Sequence, residues 1–227
     1  MAFFAREVPE PSRSRSEREP EGMERPDDRP ARDVDALARS FLTCVLLPGW
    51  VVPGVLDWYW HRQTKIERTA GAHESLTHLL MGAEAGLGIV LGLFLEIDAG
   101  VIAAMLGAAL AHEATTIWDV AYAAPRRPVE PREQHTHSFL EALPFVTVAF
   151  AAVANPEQAR ALFGLGPEKP RWRFRPVRPA QPLRRTLALL GTCGALGMLP
   201  HLEELVRCLR ANPTLAPLPA PPQPPAP

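Results

Sequence analysis

Four long apolar runs set the terms for any fold this chain can adopt. They cover residues 41–60 (FLTCVLLPGWVVPGVLDWYW), about 77–97 (THLLMGAEAGLGIVLGLFLEI), about 99–122 (AGVIAAMLGAALAHEATTIWDVAY) and about 138–154 (SFLEALPFVTVAFAAVA). A helix needs about 20 apolar residues to cross the hydrocarbon core of a bilayer, and lipid offers no partner to an open backbone. Runs of this length therefore predict membrane-spanning helices. Pro48 and Pro53 interrupt the first run, which a membrane helix tolerates. Abundant Gly and Ala predict close helix packing, and Trp50, Trp58, Tyr59, Trp60, Trp118 and Tyr122 fall at segment ends, as interfacial aromatics do. A shorter fifth run, 186–200 (TLALLGTCGALGMLP), continues into the amphipathic HLEELVRCLR. The expected fold class is all-α: a multi-pass transmembrane bundle of four to five helices with disordered termini, integral to the membrane.

The flanks differ in kind. Residues 1–35 hold seven arginines and ten acidic residues and few apolar ones, a composition that cannot bury enough surface to offset the entropy of ordering. The end, NPTLAPLPAPPQPPAP, reads as an extended proline-rich tail over 211–227. Between them the expected organisation is a four-helix membrane metal-binding core (36–155), a basic surface connector (156–185) and a fifth helix (186–210). A formal net charge of −1 argues against nucleic acid as a partner. Cys44, Cys193 and Cys208 form no C-x-x-C pair, so a disulfide framework or thiolate metal knuckle is not expected. The stretch KPRWRFRPVRPAQPLRR (169–185) reads either as a contact for anionic lipid or as a solvated loop.

Ionisable residues gather where the apolar runs meet water. Asp57 and His61 close the first run; His73, Glu74 and His78 open the second; His112 and Asp119 lie near the end of the third; His135, His137 and Glu141 open the fourth. If the spans alternate in direction, all ten arrive at one membrane face. Residues four apart on a helix are offset by only about 40°, so Asp57/His61, Glu74/His78 and His137/Glu141 each stack a carboxylate on an imidazole. His112 and Asp119, seven apart, are about 20° from alignment. Four helices each offering one imidazole and one carboxylate inward follow the logic of a metal site built inside a bundle. Charge points the same way. No Lys or Arg occurs between Arg68 and Arg126, while Glu74, Glu84, Glu96, Asp98, Glu113 and Asp119 do. Carboxylates near a bilayer need cationic partners. Nitrogen and oxygen donors without thiolate suit iron, manganese or zinc, and so many donors suit two divalent ions.

The remaining polar residues carry weaker expectations. His73 and His135 read as additional ligands or as outer partners of the ligands, and Glu113 as a residue orienting His112. Glu84 reads as a protonated residue joining helices, Glu67, Glu130 and Glu133 as solvated loop charges, and His201 as interfacial. Arg126, Arg127 and Arg132 read as membrane anchors or phosphate-headgroup contacts.

The segments DWYWHR, HESLTH, HEATTIWD and EQHTHSFLE, over about 41–155, resemble the membrane-embedded histidine-box di-iron enzymes of the fatty-acid desaturase and hydroxylase group. His61, His73, His78, His112, His135 and His137 correspond to box histidines in kind, although carboxylates stand for half of them and no His-His pair occurs. The resemblance implies two iron ions, oxygen chemistry on a lipid or other apolar substrate, an electron donor as partner, and a cytoplasmic metal face. WHR, THS (Thr136, His137, Ser138) and His112…Asp119 also resemble membrane-bound metal-dependent hydrolases. That likeness implies zinc or manganese and a phosphate or acyl ester.

Overall fold

The computed structural model describes residues 29–177 and 182–212. The charged stretch 1–28 and the tail 213–227, both expected to be disordered, lie outside the described residues. Helix α1 (Arg29–Phe41) starts inside the expected N-terminal tail and passes through a π turn (Leu42–Leu46) into α2 (Leu47–Thr64). A 3₁₀ turn (Ile66–Arg68) leads to α3 (Gly71–Phe94), α4 (Ala99–Ala123), α5 (Pro131–Ala154), the short α6 (Pro156–Leu162) and α7 (Leu183–Ala211). The π turn sits where Pro48 forces it. Proline has no N–H, and its ring crowds the carbonyl four residues earlier, so the helix widens, with Leu47 N–H bonding the Leu42 carbonyl.

Four stretches, Ala36–Thr64, Gly71–Phe94, Ala99–Ala123 and Pro131–Ala154, are long and apolar enough to cross a membrane, as a multi-pass integral membrane protein requires. A helix of 24 residues, such as α3, rises roughly 36 Å, more than the ~30 Å hydrocarbon core. α5 is continuous despite Pro144. Large apolar residues such as Val52, Ile117 and Val153 point outward and are more than half exposed, the pattern of a lipid-facing surface. Inside, Leu42, Leu46, Leu47, Ile89, Leu93 and Cys193 form one packed cluster.

The fifth helix differs from the short run expected. α7 is a single helix of 29 residues, and it runs parallel to α2. Cys193 packs with Leu42 and Leu46, Glu204 meets His61, and Cys208 packs with Ile66. Both helices thus advance together from one end of the bundle to the other.

At the end of the bundle away from His61, residues 169–177 form a strap. Its backbone bonds the α3–α4 junction: Gly100 N–H to the Arg171 carbonyl at 2.9 Å, Glu96 N–H to Arg175 at 2.8 Å and Val177 N–H to Phe94 at 2.8 Å. Asp98 fastens it, accepting from Val101 N–H (3.0 Å) as the N-cap of α4 and from Arg173 N–H (2.8 Å). Arg39, buried on α1, donates to the carbonyls of Gly92, Leu93 and Leu95 and closes the C-terminus of α3. The basic connector therefore lies on the face opposite the histidines.

Candidate metal centre

The alternation of spans brings one end of each helix to the same depth, and there the ionisable residues meet. On α2, Asp57 and His61 lie one turn apart and both face inward. His137 of α5 donates from Nε2 to Asp57 Oδ1 at 2.7 Å, and His61 Nε2 lies 3.2 Å from Glu133 Oε1 and 3.7 Å from Asp57 Oδ1. These four residues, all buried, each offer a ligand atom within 4.8 Å of the others. On α3, Glu74 and His78 likewise share a face. His78 Nε2 lies 3.4 Å from Asp119 Oδ2 of α4, Thr77 donates its hydroxyl to Asp119, and Glu74, His78 and Asp119 form a second such group.

The last helix links the two. Glu204 accepts from His61 Nδ1 at 2.9 Å and lies 3.5 Å from His78 Nδ1. His201, one turn earlier, groups with Asp57 and His78, as Glu204 does with His61 and His78.

A buried guanidinium joins two of the carboxylates. Arg127, in the loop before α5 and buried, donates to both oxygens of Glu74 (from Nε, 3.0 and 3.1 Å) and to Glu133 (2.9 Å). Burial opposes its charge, but these bonds raise its pKa further above the ordinary arginine value. The expectation that Arg127 anchors the chain in the membrane is corrected here: it is a buried clamp. Glu133, expected to be a solvated loop charge, is fully buried, and His201, expected at the interface, is buried against His78 with ring centroids 5.7 Å apart.

Of the ten residues singled out from the sequence, Asp57, His61, Glu74, His78, Asp119 and His137 come together. The other four stand apart from every such group among the described residues. His73 is half-buried against the rings of Tyr122 and Trp118, at 4.2 and 5.3 Å. His135 is exposed beside Phe139. Glu141 and His112 face a neighbouring cavity. His137 meets Asp57 rather than Glu141; of the two carboxylates four residues away on its own helix, Glu133 joins the cluster at 3.9 Å and Glu141 faces the cavity. His201 and Glu204, three apart on one helix face, carried a readable signal, the spacing of imidazole and carboxylate used in bundle metal sites.

Five imidazole nitrogens are buried without a hydrogen-bond partner among the described residues: Nε2 of His61, His78 and His112, and Nδ1 of His137 and His201. Buried polar atoms are rarely left so, and their concentration at one site marks it as chemically incomplete. Beside them opens a cavity of about 200 Å³ between α2, α3, α4, α5 and α7. Its walls are apolar, with Leu47, Val51, Ile89 and Leu190 among them, and Gly86 and Gly194 leave open space where a side chain would stand. Its polar end is formed by Asp57, His78, His112, Asp119, His137 and His201. No protein-family model, no curated protein and no solved structure matches this chain.

Proposed function

We propose that the protein is an integral-membrane two-metal enzyme, di-iron in the first reading, that oxidises an apolar chain lying in the cavity. The observation that carries the proposal is the charge of the cluster. Asp57, Glu74, Asp119, Glu133 and Glu204 contribute −5 and Arg127 contributes +1, leaving −4 in a buried site; Arg207, 4.0 Å from Glu204 at its edge, is itself paired with Glu67 and Glu203. Two divalent ions supply +4 and leave the imidazoles neutral, the form in which they bind metal. Spacing supports the same reading. Ligands bound at about 2.0–2.1 Å lie roughly 2.9–3.4 Å from one another, and His61–Glu133 at 3.2 Å and His78–Asp119 at 3.4 Å fall in that range.

Asp57, His61, Glu133 and His137 would hold one ion, and Glu74, His78 and Asp119 the other, with His201 beside both Asp57 and His78. Glu204 accepts the Nδ1 proton of His61 and so turns Nε2 toward the first ion, the usual role of a carboxylate behind a metal-bound imidazole. A carboxylate-rich set of oxygen and nitrogen donors on bundle helices suits iron or manganese better than a thiolate-preferring ion. Bound iron would supply the redox chemistry. A hydroxylation on this plan converts R–H, dioxygen, two electrons and two protons to R–OH and water, the electrons coming from a separate reductant. Arg127 holds Glu74 and Glu133 in place, and the apolar walls keep water from the reacting carbon.

Elemental analysis of detergent-purified protein tests the reading, with about two ions per chain expected. Iron with oxygen-dependent turnover of an apolar lipid supports it. Absence of bound metal from wild-type protein overturns it, and zinc or manganese with oxygen-independent ester cleavage would favour the hydrolase instead. For a serine nucleophile there is little support, because Ser138 is exposed and donates to the Gln134 carbonyl.

A further inference from the structure

His112 is the one buried imidazole at the polar end of the cavity that belongs to none of the metal-capable groups. Its Nδ1 lies 3.1 Å from the Met81 carbonyl oxygen. A carbonyl can only accept, so Nδ1 carries the proton, and in the neutral ring Nε2 is left as a bare acceptor. That nitrogen is buried and has no partner among the described residues. The nearest hydroxyl on the same helix cannot serve it, because Thr116 donates to the His112 carbonyl at 2.9 Å and to the Met81 sulfur at 3.2 Å.

From this we infer that the cavity binds an apolar chain ending in a hydroxyl group, and that His112 Nε2 accepts its proton in a hydrogen bond. The inference deepens the reading given above, since it rests on the cavity as the substrate site and names the class of molecule: a long-chain alcohol, as substrate or product of the metal cluster. The walls offer a methylene chain the contacts it needs, and the polar end offers acceptors, namely carboxylates and imidazole nitrogens. A hydroxyl meets that end with a donor. An ether or a hydrocarbon brings none and leaves Nε2 without a partner.

Trp50 lines the cavity and reports on its contents. Wild-type protein in nanodiscs of unbrominated lipid is titrated with a bromoalkyl alcohol and with the methyl ether of the same chain, and tryptophan quenching is followed. The alcohol should bind about tenfold more tightly, the effect of one hydrogen bond to a buried acceptor. His112→Phe should abolish that preference, and Trp50→Phe should remove the saturable part of the quenching, leaving the linear part that comes from the lipid-facing tryptophans. Equal binding of alcohol and ether to wild-type protein overturns the inference, a contrast that does not depend on any variant folding. So does a preference that survives in His112→Phe, or saturable quenching that survives undiminished in Trp50→Phe. Metal content is measured on the same samples. Metal-free protein that still prefers the alcohol would reject the metal reading alone, and metal-loaded protein without the preference would reject this inference alone.

Discussion

The imidazoles of His61 and His78 stack face to face, with centroids 4.5 Å apart and planes 18° from parallel. One ring comes from α2 and the other from α3, and Glu204 reaches a nitrogen of each. Two imidazolium rings stacked this closely would repel one another, so protons alone are an awkward way to balance five carboxylates here. Metal ions, which need neutral rings, are compatible with the stack.

His61 and His112 should behave differently when substituted. His61→Ala removes a ligand common to two of the groups and should lower metal content by at least half. His112→Phe should leave about two ions per chain. Elemental analysis of both variants beside wild type checks this, and equal loss from both would count against the assignment of ligands.

Arg127→Met should unfold the site end of the bundle. It leaves Glu74 and Glu133 buried without their cation, and breaking a buried pair costs about 3–5 kcal/mol. Arg127→Lys should recover only part of that, because an ammonium cannot form the fork that holds both carboxylates. Thermal unfolding in detergent, without added metal, gives the comparison.

Metal loading should weaken with acid. Imidazole nitrogens must be deprotonated to bind, and the unperturbed histidine pKa is about 6.5. Metal binding displaces protons from its ligands, so proton uptake at lower pH favours the apo form and retention during dialysis should fall as the pH is lowered. Bound ion measured against pH tests it, and an unchanged content at pH 5 would contradict histidine ligation.

Asp98→Ala should loosen the strap without disturbing the metal end. The substitution removes the cap of α4, worth about 1 kcal/mol, and frees the Arg173 N–H. Trypsin should then cut after Arg171 and Arg173 several-fold faster, with metal content unchanged. Mass spectrometry of the fragments provides the readout.

Much of this was legible in the sequence, for stated reasons. Span length and apolarity dictate the four helices, and alternation of direction brings Asp57, Glu74, Asp119 and His137 to one end. Residue spacing could not decide between Glu133 and Glu141, which are equivalent by helical geometry until the depth of α5 is known. Arg127 was missed because it lies just outside the charge-poor window, in a loop whose residues usually face water. Glu204 and His201 were missed because α7 is less apolar than the other long helices, yet those polar residues face inward along it. His73 and His135 each stand next to or near a true inward position, and one residue turns a helical side chain by about 100°.

The parallel run of α7 along α2 has a bearing on biogenesis. Glu204 and His201 leave the ribosome more than a hundred residues after His61 and His78, so the earlier helices must assemble with their acids and imidazoles only partly matched. A chain truncated before Leu183 would keep all four candidate spans and still lack the piece that ties α2 to α3. On the two-metal proposal, ion capture would wait until α7 has emerged and docked, which makes that docking a maturation step.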